Sequence, residues 1–459
     1  MSTKLNWEDR TLSELIRLSW PITVSVVSYA IMTLVDTLFV GRLGPAALAG
    51  VGLAGTACFA TLGFGLGMLR ATKVVVSQEF GAKRDHTIGS HINSSLVLSM
   101  ALSFAIVVIA WLVAPGLEVL NQSAEAAGYA RQYFLTRMLS APALLAYGTL
   151  REARFGVGDS RTPMVATVSG NLVNIVLDYL FIVEFGWGVP GAAYATNAGH
   201  VVEAVVLLWV HFRGAYRRGP VQLRLMTPLL RLGFPLGTQF VLEIGAFTML
   251  AAMISRISDL QMAAHQIAVQ VLHLGFLPAY AVGESASVLI GQAVGAHQDR
   301  LVKPVAHLAL RVIAAYTALA GVVMGLLGAP IATAFTQDAG VIAATGALLI
   351  VGGVFQVGDG ANILARSVLR GTGDVRWSAI VSVCVAWGFT PPLMWLFGYR
   401  LGLGALGGWI GLLLEIFVGA AILWWRVERN GWASAAAESR ARQEQFAATD
   451  RRDWVEQPA

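Results

Sequence analysis

Asp36, Asp178, Glu203, Glu243, Glu284, Asp359 and Glu415 are carboxylates set inside long apolar runs. A charged side chain at mid-bilayer costs about 2.5–3.5 kcal/mol on insertion scales, so each of them needs a task or a partner. Asp36 lies in MTLVDTLFVGRLG, downstream of an uncharged stretch from Leu18 to Val35. Asp178 closes NLVNIVLD, where Asn174 is one helical turn earlier and shares its face. Thr196, early in the next run, is expected at comparable depth. An aspartate supported by an amide and a hydroxyl can hold a proton or coordinate a small cation through oxygens. Glu243 and Asp359 are further acids of this kind. Glu203, Glu284 and His265 are secondary candidates. Glu203 has His200 one turn away as a partner, whereas Glu284 and Glu415 suit a helix-packing role equally well. His265, in AAHQIA, reads as a hydrogen-bonded packing residue rather than a ligand.

The elements that carry these groups follow from composition. Hydrophobic residues make up 56% of the chain and charged residues 13%, about half the soluble fraction. With a mean hydropathy of +0.65, the chain reads as a polytopic membrane protein. The polar N-terminus shows no small-residue cleavage site, so the first span is expected to serve as its own insertion signal. About twelve runs are long enough to cross the hydrocarbon as helices. They lie near 15–40, 46–71, 90–114, 129–150, 163–185, 190–212, 229–254, 264–290, 308–332, 340–366, 378–398 and 403–425. Continuous apolarity, rather than alternation at every second residue, selects helices over a barrel. Cys58 and Cys384 sit in apolar runs and read as small core residues, giving neither a disulfide frame nor a metal site.

Basic residues set the orientation. They gather at the N-terminus (Lys4, Arg10, Arg17) and then in every second loop: Arg70, Lys73, Lys83 and Arg84; Arg151, Arg154 and Arg161; Arg213, Arg217, Arg218 and Arg224; Arg300 and Lys303; Arg366, Arg370 and Arg376. The loops between, around Arg42, Glu118, Glu184, Arg256, Asp338 and Arg400, are poor in cations. This alternation predicts an even number of spans with both termini cytoplasmic. The net charge of +5 is therefore a topology signal and not a nucleic-acid footprint.

The chain is also written twice. LIRLSWP, ending at Pro21, matches LLRLGFP, ending at Pro235, and SQEFGAKRD from Ser77 falls on GQAVGAHQD from Gly291. Gly158-Asp159 likewise falls on Gly373-Asp374. The expected architecture is all-α: two six-helix parallel-repeat lobes around a central cavity. A cytoplasmic N-terminus (1–14), an N-terminal lobe (15–212), a basic linker (213–228), a C-terminal lobe (229–426) and a polar tail (427–459), read as a frayed helix or disorder, complete it. Parallel repeats with a site between them are a transporter architecture. The acids are not repeated: Asp36 falls on Leu250 and Glu243 on Tyr29, so scaffold residues are duplicated while each carboxylate is individual.

These motifs resemble the multidrug and toxic compound extrusion (MATE) family. The resemblance rests on Pro21 to Gly50, SQEFGAKRD, NIVLDYLFI from Asn174, LEIGAF from Leu242, AAHQIA from Ala263 and RGTGD from Arg370, and covers about residues 12–427. It implies a cation or proton site at Asp36, Asn174, Asp178 and Thr196, and a helix bend at Pro21. Resemblance to the NorM-like branch implies a second site at Glu243 and Asp359. RMLSAPALLAYG from Arg137 is more like the DinF-like branch. Sodium would sit at Asp36/Asp178 or Glu243/Asp359; otherwise protons couple transport.

The expected function is secondary active antiport: export of bulky amphipathic, often cationic drugs in exchange for H+ or Na+, by a monomer in the cell inner membrane. No cofactor beyond the coupling ion, no ATP and no nucleic acid are expected. The alternative is a flippase or exporter of a lipid-linked or other amphipathic metabolite, which would call for more cavity cations than the main exception among the acids, Arg137. A channel is a further class, which saturable counterflow would argue against. No HExxH, usable GxSxG or GxxxxGK[ST] motif supports an enzyme.

Overall fold

The computed structural model describes residues 5–120 and 123–455. Lys4 of the basic N-terminus and residues 456–459 of the polar tail lie outside the described residues, as do the side chains of Glu118, Arg451 and Arg452. Fourteen α-helices follow one another: α1 (Thr11–Gly41), α2 (Pro45–Gly81), α3 (Asp85–Leu120), α4 (Ala124–Met138), α5 (Ala141–Gly156), α6 (Arg161–Asp178), α7 (Gly188–Arg213), α8 (Leu223–Ser255), α9 (Asp259–Gly295), α10 (Val302–Thr333), α11 (Ala339–Thr372), α12 (Val375–Leu393), α13 (Gly404–Glu428) and α14 (Ala433–Val455). No strand occurs among the described residues. In hydrocarbon each backbone polar group must be satisfied within its own segment, and the helix alone does this for a single apolar run. Among the described residues, 11 helices are long and apolar enough to cross a membrane.

The expected fourth span, 129–150, is instead two helices, α4 and α5, separated at Leu139 and Ser140. Pro142 opens α5 and cannot donate a backbone hydrogen bond to the preceding turn, while Ser140 Oγ donates to the Arg137 carbonyl at 2.8 Å. The equivalent residues of the second half, Val354 and Phe355, lie inside the unbroken α11. The tail, expected frayed or disordered, carries α14, whose Arg440 grips both carboxylate oxygens of Asp299 at 2.5 and 3.0 Å.

The duplication is written into the backbone. Both α2 and α9 contain 37 residues. Lys83 and His297, which close the matched loops, have φ of 56° and 57°. Tyr179–Glu184 after α6 and Met394–Arg400 after α12 both widen into π-helix. Each π-helical turn is followed by two glycines at positive φ, Gly186 and Gly188 in one case and Gly402 and Gly404 in the other. Glycine is needed there because a Cβ would be strained in that region.

The chain forms two compact units. The N-terminal unit comprises Val24–Val241 and Phe446–Ala459; the C-terminal unit comprises Met1–Thr23 and Leu242–Gln445. Within the N-terminal unit, Leu62, Ile106, Phe134, Leu145 and Leu207 belong to one buried core. Within the C-terminal unit, Leu250, Leu272, Leu349, Met394 and Trp409 form another. Cys58 is buried, as expected, but Cys384 is exposed, so only the first packs in a core.

Candidate functional site

In the N-terminal unit, α1, α6 and α7 bring the four residues of the first site together. Asn174, Asp178 and Thr196 are buried and Asp36 is half-buried. Thr196 Oγ1 donates to Asp36 Oδ2 at 3.4 Å and is also 2.9 Å from the Ala192 carbonyl of its own helix. Asp178 and Asn174 lie beside Asp36. Yet Asp36 Oδ1, both carboxyl oxygens of Asp178 and both amide atoms of Asn174 are buried with no hydrogen-bond partner outside this cluster. A buried polar group without a partner costs about 1–3 kcal/mol, so a collection of them on adjacent side chains requires a chemical explanation.

The scaffold around this group is close-packed. A Cβ on Gly170 of α6 would fall 2.7 Å from the Gly199 carbonyl oxygen and 2.5 Å from Glu203 Cγ, so only glycine lets α6 and α7 approach this closely. Asn171 Nδ2 donates to Ser28 Oγ at 2.8 Å, tying α6 to α1. Tyr147 and Thr167 hydroxyls meet at 2.6 Å, tying α5 to α6. Pro21 lies inside α1, which continues through it.

Arg137, at the end of α4, is buried and engaged through both terminal nitrogens. It donates to Asn197 Oδ1 at 2.7 Å and Ser140 Oγ at 3.2 Å, and lies 3.4 Å from His200 Nε2. His200 Nδ1 is 2.9 Å from Glu203 Oε2, the pairing that their spacing predicts. Glu203 therefore belongs to a charged chain beside the first site.

The C-terminal unit is organised differently. Arg366 Nη1 donates to both carboxylate oxygens of Glu243, at 2.8 and 2.9 Å. Asp359, two turns before Arg366 on the same face of α11, acts on both Arg366 and Glu243. Glu415 of α13 acts on Glu243, Arg366 and Asp359 through its charge. The loop assignment of Arg366 and Arg370 is corrected here: both lie inside α11. Arg370 is buried and meets Glu284 at 2.9 Å. Lys73, also expected in a loop, lies within α2, fully buried and 3.6 Å from Glu152. Arg137 is thus one of several cations held among the helices. Hydropathy windows missed these because a charge ends an apolar run even where a partner on another helix neutralises it. The only available signal was the helical spacing of Asp359 and Arg366. His265 Nδ1 accepts from Trp409 Nε1 at 3.1 Å, a packing hydrogen bond. Among the described residues, no three His, Cys, Asp or Glu side chains converge as a metal centre.

Comparison with known proteins decides the family. The MatE model matches residues 21–180 and again 235–396, one copy in each half of the duplication. The chain belongs to the MATE family. Its relatives include the multidrug resistance protein PmpM of Pseudomonas aeruginosa, 30% identical over 90% of each chain. The probable multidrug resistance protein NorM of Pseudomonas syringae is 27% identical to this MATE protein over 92% of this chain and 95% of its own. Among solved structures, the eukaryotic MATE transporter AtDTX14 is 20% identical with a TM-score of 0.85, covering 94% of this chain and 99% of its own. A MOP superfamily transporter from Pyrococcus furiosus is 22% identical with a TM-score of 0.84, covering 92% and 96%. At these identities the two structures establish a shared fold, that of a multi-span MATE transporter.

Proposed function

We propose that this MATE protein is an inner-membrane antiporter that exports amphipathic organic cations in exchange for a proton or sodium ion. The relatives named as multidrug resistance proteins support the substrate class. The observation that carries the coupling reading is the set formed by buried Asn174 and Asp178 with half-buried Asp36, whose oxygens find so few partners within the protein. Such a set suits a proton or a small cation, which would share the two carboxylates and relieve their mutual repulsion. Coupling requires that the ion and the organic cation favour opposite conformations, since a ligand shifts an equilibrium only through differential affinity. Glu243 and Asp359 are less suited to holding the coupling ion, because a guanidinium is already seated on Glu243. The distribution of basic residues supports both termini on the cytoplasmic side, and a monomer suffices because one chain carries both repeats.

The flippase alternative would use unpaired cations to grip a pyrophosphate. Arg137 and Arg370 are each engaged by groups of their own unit, which favours the organic-cation reading. The test is efflux of ethidium from proteoliposomes under an imposed sodium gradient or an imposed pH gradient in turn. Acceleration by one gradient identifies the coupling ion. Acceleration by neither, with folded protein, overturns antiport.

A further inference from the structure

Arg366 is held on a single carboxylate and remains partly exposed. One of its nitrogens contacts both oxygens of Glu243, while its Nε is buried and has no partner. The guanidinium therefore uses only part of its donor fork. Neither partner is sealed away: the side chains of Arg366 and Glu243 remain 19% and 30% exposed. Contrast the Arg370–Glu284 pair one turn further along α11, with exposures of 9% and 2% and a second anchor on Ser367 at 2.8 Å. Besides Glu243 of α8, Asp359 of α11 and Glu415 of α13 act on the same guanidinium through their charge. Glu243 thus holds an organic cation, one that is covalently attached.

We propose that Arg366 is a tethered competitor: it occupies Glu243 when no substrate is present, and an organic cation binds Glu243, Asp359 and Glu415 by displacing it. Arg366 is then a specificity-determining residue. Only a ligand whose cationic group satisfies these carboxylates better than a loosely held guanidinium can take its place, which excludes weakly interacting and neutral molecules. The ligand class is a planar or bulky compound with an ammonium, amidinium or guanidinium group. Displacement needs only side-chain rotation of Arg366, whose long stem allows it. This inference rests on the organic-cation reading above and says nothing about which ion couples.

The test is equilibrium binding of ethidium to the purified full chain in detergent at fixed pH and ionic strength, followed by fluorescence. Arg366→Gln removes the competitor and is expected to tighten binding about tenfold, the size expected for loss of one close charge–charge competition. Arg366→Lys, a more strongly hydrated point charge, is expected to tighten it about threefold, and serves if the Gln variant fails a melting check. Glu415→Gln is expected to weaken binding in both the wild-type and the Arg366→Gln background. Free guanidinium at millimolar concentration should compete more strongly in Arg366→Gln than in wild type. Equal or weaker ethidium binding in folded Arg366→Gln or Arg366→Lys overturns the inference while leaving the organic-cation reading intact. Absence of ethidium binding in every form overturns both.

Discussion

Thr196 reaches across 160 positions of sequence to donate its hydroxyl to Asp36, linking α7 to α1 beside the buried carboxyl of Asp178. The site is therefore made by three helices: α1 and α6 each contribute a carboxylate, α6 also an amide, and α7 a hydroxyl. If these oxygens hold the coupling ion, Asp36→Asn and Asp178→Asn should each reduce gradient-driven ethidium efflux by about a hundredfold or more, as expected for an essential intramembrane carboxylate. Thr196→Ala removes one weak ligand and should cost about fivefold. Proteoliposome efflux with matched protein amounts reads all three, and near-wild-type rates for Asp36→Asn would sink the assignment.

Gly170 controls the distance between α6 and α7. A side chain there must displace the Gly199 backbone or the Glu203 stem. Gly170→Val should therefore separate the helices that carry Asp178 and Thr196, and efflux should fall at least tenfold. Ethidium binding at the C-terminal acids should persist, because Gly170 lies in the other unit. An efflux rate unchanged in Gly170→Val would mean that the helix spacing does not set the site.

Arg370 and Glu284 form a pair buried on both sides. Removing one partner leaves an uncompensated charge, so Glu284→Leu and Arg370→Leu should each lower stability by about 3–5 kcal/mol. A double change to leucines should cost less than either single change, since no charge is left behind. Thermal unfolding of the four proteins gives the cycle; additive effects would show that the pair carries no coupling.

His265 is a packing residue in this structure, fixed by the Trp409 indole. His265→Phe should leave that buried N–H unsatisfied and cost about 1–3 kcal/mol of stability, with efflux within about twofold of wild type. A changed ion preference with normal stability would instead make His265 part of the coupling machinery.

The sequence alone determined much of the fold because lipid imposes simple rules. Each apolar run must become a helix, so every expected span except 129–150 overlaps a single helix in the structure. The match of SQEFGAKRD to GQAVGAHQD foretold a duplication that the backbone repeats down to Lys83 and His297. Asp36, Asn174, Asp178 and Thr196 were recognisable because an acid in an apolar run is costly and a four-residue spacing fixes a shared face. Tertiary structure decided what pairs with what. Arg366 looked like a loop cation because hydropathy stops at a charge, yet it lies inside α11 against Glu243, 123 positions away. Lys73 with Glu152, and Arg370 with Glu284, were hidden for the same reason. Charge content can be read from one strand of sequence, but neutralisation depends on which helices become neighbours, and only the folded chain specifies that.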